Sequence, residues 1–153
     1  MSEHTATIKW ARGEGEIFTD NRYNRSHQWD FDGGVTVPAS SSPQAVRVPL
    51  SNPAAVDPEE AFVASLSSCH MLWFLSLAAR KGLVVESYED RAVGRLERND
   101  RGKMAMSRVV LRPAVRYAGT TQPTPEDVRA LHEAAHHECF IANSVTTVVT
   151  VEE

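Results

Sequence analysis

The longest apolar stretch of the chain lies between Asp57 and Gly82. Within it Phe62, Leu66, Cys69 and Trp73 recur at steps of three and four, the period of one helix face. Asp57-Pro58-Glu59-Glu60 carries the start signals: an Asp N-cap, Pro at the first helical position and a D-x-x-E capping box. Arg80-Lys81-Gly82 carries the stop. The spacing therefore predicts a helix over residues 58–81. Before Arg80 its only titratable imidazole or charged side chain after Glu60 is His70, and about twenty apolar residues can span a bilayer. Ser65, Ser67, Ser68, His70 and Ser76 argue instead for a helix buried on nearly every side. One small sheet from 153 residues covers only one side of such a helix, so a homodimer is expected, each helix packing on its partner.

Elsewhere the period shifts towards two. Thr5–Arg12, Gln28–Phe31, a weakly alternating Ala45–Leu50 and a final Ser144–Val151 read as strands. Val84–Arg98 and Lys103–Tyr117 read as two long strands around an Asn99-Asp100-Arg101-Gly102 turn. In the second of them Val109, Leu111, Val115 and Tyr117 alternate with Arg108, Arg112 and Arg116, as on a sheet with one wet face. Phe18–Arg25 and Pro38–Pro43 read as loops. A second helix starts at Thr124-Pro125, with Glu126 and Asp127 in its first turn. Val128, Leu131, Ala135 and Cys139 share its inward face, which places Cys139 at its end. Segregated strands and helices in a chain of this length indicate an α+β fold and a single domain over residues 1–153.

A formal net charge of -4 argues against nucleic acid as a partner. The N-terminus lacks the basic-then-apolar pattern of a secretory signal, so a cytoplasmic location and no membrane partner are expected. Only two cysteines occur, seventy positions apart, too few for a disulfide scaffold and too distant for a C-x-x-C motif. A cytoplasmic disulfide between them would be transient and catalytic.

Taken alone, Cys69 and Cys139 read more readily as buried space-fillers than as reactive thiols. Cys69-His70 and His136-His137-Glu138-Cys139 supply zinc-type ligands, but in no finger spacing, and adjacent helical histidines point about 100° apart. His132 and His136 share a face at i, i+4 and read as exposed histidines on a charged helix side. No metal site is expected. No G-x-S-x-G elbow, G-x-G-x-x-G or phosphate loop occurs. Arg22 and Arg25 lie in a polar loop, either simply solvated or available to stabilise a thiolate.

The run Asp57-Pro58-Glu59-Glu60-Ala61-Phe62-Val63-Ala64-Ser65-Leu66-Ser67-Ser68-Cys69 resembles the active-site helix of the OsmC/Ohr family, the osmotically inducible protein C and organic hydroperoxide resistance proteins. There an N-P-E-[QE] start is followed by small residues and A-C-F. The second cysteine and the element order match along essentially the whole chain. The resemblance implies β-sheets wrapped around long central helices in an intertwined homodimer. It implies a thiol peroxidase acting on organic hydroperoxides, in which Cys69 is the peroxidatic cysteine, passing through a sulfenic acid, and Cys139 the resolving one. Glu59 matches the carboxylate that orients an arginine beside the thiolate. That arginine is Arg25 by the hydroperoxide-resistance branch and Arg47 by the osmotic branch, with Arg25 favoured by its longer polar loop. No bound cofactor is implied; the reductant is an external dithiol, often lipoyl-type. Two positions depart from the family: His70 stands where Phe is common, and Phe140 follows Cys139 where Pro is common. The runner-up function is a small-molecule-binding protein on the same scaffold, without turnover.

Overall fold

A computed structural model describes residues 1–152. The chain forms two compact units, Met1–Ala61 and the remainder from Phe62.

The first unit carries a three-stranded antiparallel sheet in the order β1 (Ala6–Lys9), β2 (His27–Phe31), β3 (Thr36–Ala39). The Asp32-Gly33-Gly34 turn links β2 to β3, with Gly34 at φ +86°. Part of β3 falls on the segment read as loop, because Pro38 is tolerated on an edge strand, where no ladder N–H is required of it. Ala45–Leu50 is not a strand. The amides of Ala45 and Val46 close turns onto the Ser42 carbonyl at 3.0 and 2.9 Å, and that of Leu50 closes onto the Arg47 carbonyl. Local turns thus satisfy the backbone that a ladder would have claimed.

Helix α1 (Pro58–Arg80) starts with both arms of the expected capping box. The Glu60 amide donates to Asp57 Oδ1 at 2.7 Å, and the Asp57 amide donates to Glu60 Oε2 at 3.2 Å. Gly82, at φ +74°, turns the chain out of the helix, a conformation that costs glycine little. By length and composition α1 could cross a bilayer, with a hydropathy of 1.5. Within this chain it buries one stripe, Leu66, His70, Phe74 and Ala78, and leaves Leu72 61% exposed. Burial on every side is therefore not met by one chain alone.

The second unit surrounds that stripe with β4 (Val84–Asp90), β5 (Val93–Arg98), β6 (Met104–Leu111), β7 (Pro113–Ala118), α2 (Pro125–Glu138) and β8 (Val148–Val151). The two long strands expected here are each broken in two. β4 pairs with β7 in one ladder, while β5 pairs with β6 in another, to which β8 adds in parallel after the α2 crossover. The break is pinned by Asp90, whose Oδ1 accepts the Arg112 amide at 2.6 Å and whose Oδ2 accepts the Ser67 hydroxyl of α1. The apolar positions of the return strand consequently serve two clusters. Val109 and Leu111 pack with Leu66, while Val115 and Tyr117 pack against Phe74, Ala78, Leu83, Leu131 and Ala135. Gly94 lets β5 lie close to α1; a Cβ there would collide with the side chains of Val63 and Met106. The final strand begins only at Val148, since Ala142–Ser144 forms a 3-10 turn closed by the Ser144 amide on the Ile141 carbonyl.

Candidate thiol site and its neighbours

Cys69 sits mid-way along α1, partly accessible, one residue off the fully buried stripe. Cys139 is the C-cap of α2 and 1% exposed. Helix α2 begins with the Thr124–Asp127 capping box and buries Leu131, His132 and Ala135, so the position seven residues past His132 returns to the same inward face. The two side chains are near enough to interact. Burial pushes the Cys139 thiol up; the Ala142 amide, 3.4 Å from its Sγ, opposes the shift, and the neighbouring Cys69 adds to it. Both cysteines are free thiols.

An aromatic pair flanks the thiols. Trp73, one turn beyond Cys69, meets Phe140, the residue after Cys139, edge to face at 5.5 Å and 88°. Phe140 itself is 69% exposed. The backbone behind it is tied by Asn143, whose amide nitrogen donates to the carbonyls of His137 and Cys139 at 2.9 and 3.1 Å.

Arg25, Arg47 and Glu59 belong to the first unit. Arg25 lies over the Tyr23 ring at 3.7 Å and donates to the Tyr23 carbonyl and, at 3.1 and 3.0 Å, to the carbonyl and side chain of Asn21. Trp10, Phe18 and Tyr23 pack together beneath this loop, with Phe18–Tyr23 centroids 4.6 Å apart. Phe18 and Asn21 hold positive φ, uncommon for residues other than glycine. Arg22 and Arg47 are exposed, and Glu59 is partly buried in the first turn of α1. Among the described residues, Arg25 and Glu59 form no ion pair with each other.

The pairing of His70 with His132 is not evident from the sequence. His70 and His132 stack at 9° with His70 Nε2 3.0 Å from His132 Nδ1, and His132 stacks in turn on Phe74 at 4.4 Å. His132 is 4% exposed, which corrects its assignment to an exposed charged face. Burial drives both imidazoles down to about 4. For His70 the charges of His132 and His136 add to the fall; for His132 Asp90 opposes it. The sequence signal for the burial of His132 was present: it stands two helical turns before the inward-facing Cys139. No cluster of three or more His, Cys, Asp or Glu side chains suited to a metal is found among the described residues.

The fold and these residues can be set beside known proteins. A comparison with curated proteins finds no match. Among solved structures, an OsmC-like protein of unknown function from Vibrio cholerae is 56% identical, with 99% of each chain covered and a TM-score of 0.98. An organic hydroperoxide resistance protein from Elizabethkingia anophelis is 17% identical, covering 99% of this chain and 98% of that one at a TM-score of 0.69. The organic hydroperoxide resistance protein OhrB of Bacillus subtilis is 17% identical, covering 97% and 96% at 0.62. The latter two share the fold. The family model described as OsmC-like protein matches residues 51–153, the span that holds α1, both cysteines and α2, and the chain therefore belongs to the OsmC-like protein family.

Proposed function

We propose that this protein is a cytoplasmic, thiol-dependent peroxidase for organic hydroperoxides. The observation that carries the reading is the Cys69–Cys139 pair: a partly accessible free thiol and a buried one near enough to interact. The Cys69 thiolate attacks one peroxide oxygen, the O–O bond breaks, and the leaving alkoxide takes a proton to depart as an alcohol. Cys69 is left as sulfenic acid. The Cys139 sulfur then attacks the Cys69 sulfur, water leaves, and a disulfide results. An external dithiol, of lipoyl type by family likeness, reduces that disulfide by exchange and is itself oxidised. Trp73 and Phe140 give the entrance an apolar wall, which favours alkyl and aryl hydroperoxides over hydrogen peroxide.

Arg25 stabilises the thiolate and the developing alkoxide in this reading, and Glu59 orients it. Glu59 is ten residues from Cys69 on one helix, which sets the two about 15 Å apart along the axis. A second copy, packed on the apolar side of α1 that holds the exposed Leu72, is the natural source of the carboxylate. The working form is accordingly a homodimer.

The test is consumption of cumene hydroperoxide with dihydrolipoamide. Wild type should turn over, Cys69→Ser should be inactive, and Cys139→Ser should accumulate a trappable sulfenate. Free thiols in the wild type without any peroxide consumption would overturn the peroxidase reading and leave a binding protein.

A further inference from the structure

We propose that His132 and His136 form the protein's half of a binding site for a late first-row divalent cation such as nickel or zinc. The site is separate from the thiol chemistry. It opens into a groove of about 430 Å³ lined by Arg129, His132, Glu133, His136, Val149 and Val151. Residues 132–136 read His-Glu-Ala-Ala-His and lie wholly within α2, so the two imidazoles stand one turn apart on one side of the helix, and both reach the same groove. Imidazole nitrogen suits nickel, copper and zinc and discriminates against magnesium and calcium.

The stronger observation is how His132 is held. Its Nδ1 is engaged by His70 Nε2 at 3.0 Å, and its ring is clamped between His70 and Phe74. A metal-bound histidine is typically fixed in this way, by a hydrogen bond at one ring nitrogen that leaves the other free. The His70 contact takes Nδ1 and leaves Nε2 as the other ring nitrogen of a residue that lines the groove. A cation on Nε2 fixes the tautomer: His132 keeps its proton on Nδ1 and donates it to His70 Nε2. Asp90 adds negative charge on the His132 side. Glu133, on the groove wall, is placed to accept a hydrogen bond from a metal-bound water.

No third protein ligand is gathered among the described residues. The cation would thus keep open positions for water or a small anionic ligand, and the groove has room for either.

The experiment is calorimetric titration of the untagged full chain with nickel and with zinc, paired with the thermal midpoint in the presence of metal. One cation per chain should bind, and the midpoint should rise. Binding should be lost in His136→Ala, an exposed position whose replacement leaves the core intact, and retained in His137→Ala. His70→Ala should weaken it roughly 10- to 100-fold without abolishing it. Cys69→Ser and Cys139→Ser should bind as wild type does. Absence of binding at millimolar metal, binding that survives His136→Ala, or binding lost instead with either cysteine would each overturn the proposal.

Discussion

Cys69 and His70 are neighbours on α1, and each meets a residue of the same helix α2, Cys139 and His132 respectively. The two contacts differ in nearly every physical respect. The thiol contact joins an accessible side chain to a buried one at a helix end, with an aromatic pair beside it. The imidazole contact is buried, with His132 stacked on Phe74 and meeting the groove at one edge only, and leaves His70 Nδ1 buried without a partner. One residue of helix rotation, about 100°, separates a reactive edge from a packed core. Accessibility, not residue type, is what most separates the two contacts.

That contrast can be broken most severely at Cys69, where replacement by serine should remove turnover altogether while leaving the denaturation midpoint close to wild type. The next largest effect should come from the other side. His70→Ala should destabilise the fold by about 2–4 kcal/mol in urea denaturation, since it opens a cavity and orphans His132. The same variant should still form the Cys69 sulfenate. Replacing the pair together, His70→Phe with His132→Leu, should recover most of that loss, because no buried polar atom is then left unpaired.

Acid should separate the two contacts as well. His70 and His132 are neutral in the folded protein, with values near 4, while in the unfolded chain they protonate near 6.5. Their folded values are depressed, so unfolding takes up protons as pH falls through 6.5. Stability should decline from there down to about 4, the unfolded state binding as many as two more protons from this pair. Urea melts of metal-free protein between pH 7 and 4 check this, and His70→Phe/His132→Leu should flatten the profile. A pH-independent midpoint across that range would mean the pair is not buried neutral. The smallest effect belongs to Phe140→Ala. It should raise KM for cumene hydroperoxide several-fold, leave the rate with hydrogen peroxide unchanged, and barely alter stability, because the ring is largely exposed.

Local chemistry was readable in the sequence wherever it sat next to its consequence. Asp57 and Glu60, Thr124 and Asp127, and Gly82 each specify a helix end within four residues, and all three ends formed. What escaped was decided at a distance. The break between β4 and β5 depends on Asp90 reaching Arg112 and Ser67, neither nearby in the chain. Weak alternation in Ala45–Leu50 lost to turns onto Ser42 and Arg47. His70 was noted only as an unusual neighbour of Cys69, since its partner His132 lies sixty-two residues away. The thiols themselves were legible as candidates from helix facing, but their approach was visible only in three dimensions.

The placement of Cys139 as a C-cap has a consequence for motion. A residue inside a helix is held by amide bonds on both sides, and Cys69 has that anchoring through the middle of a 23-residue helix. Cys139 closes its helix instead: its amide donates to the His136 carbonyl at 3.3 Å, its carbonyl accepts the Asn143 amide at 3.0 Å, and beyond it comes a short 3-10 turn with the Asn143 clasp. Joining the sulfurs in the proposed disulfide therefore strains the short turn after α2 before it strains the middle of α1. In amide hydrogen exchange the redox cycle would be written in residues 137–144, whose protection would shift between the dithiol and disulfide forms, while the amides around Cys69 exchange at one slow rate in both.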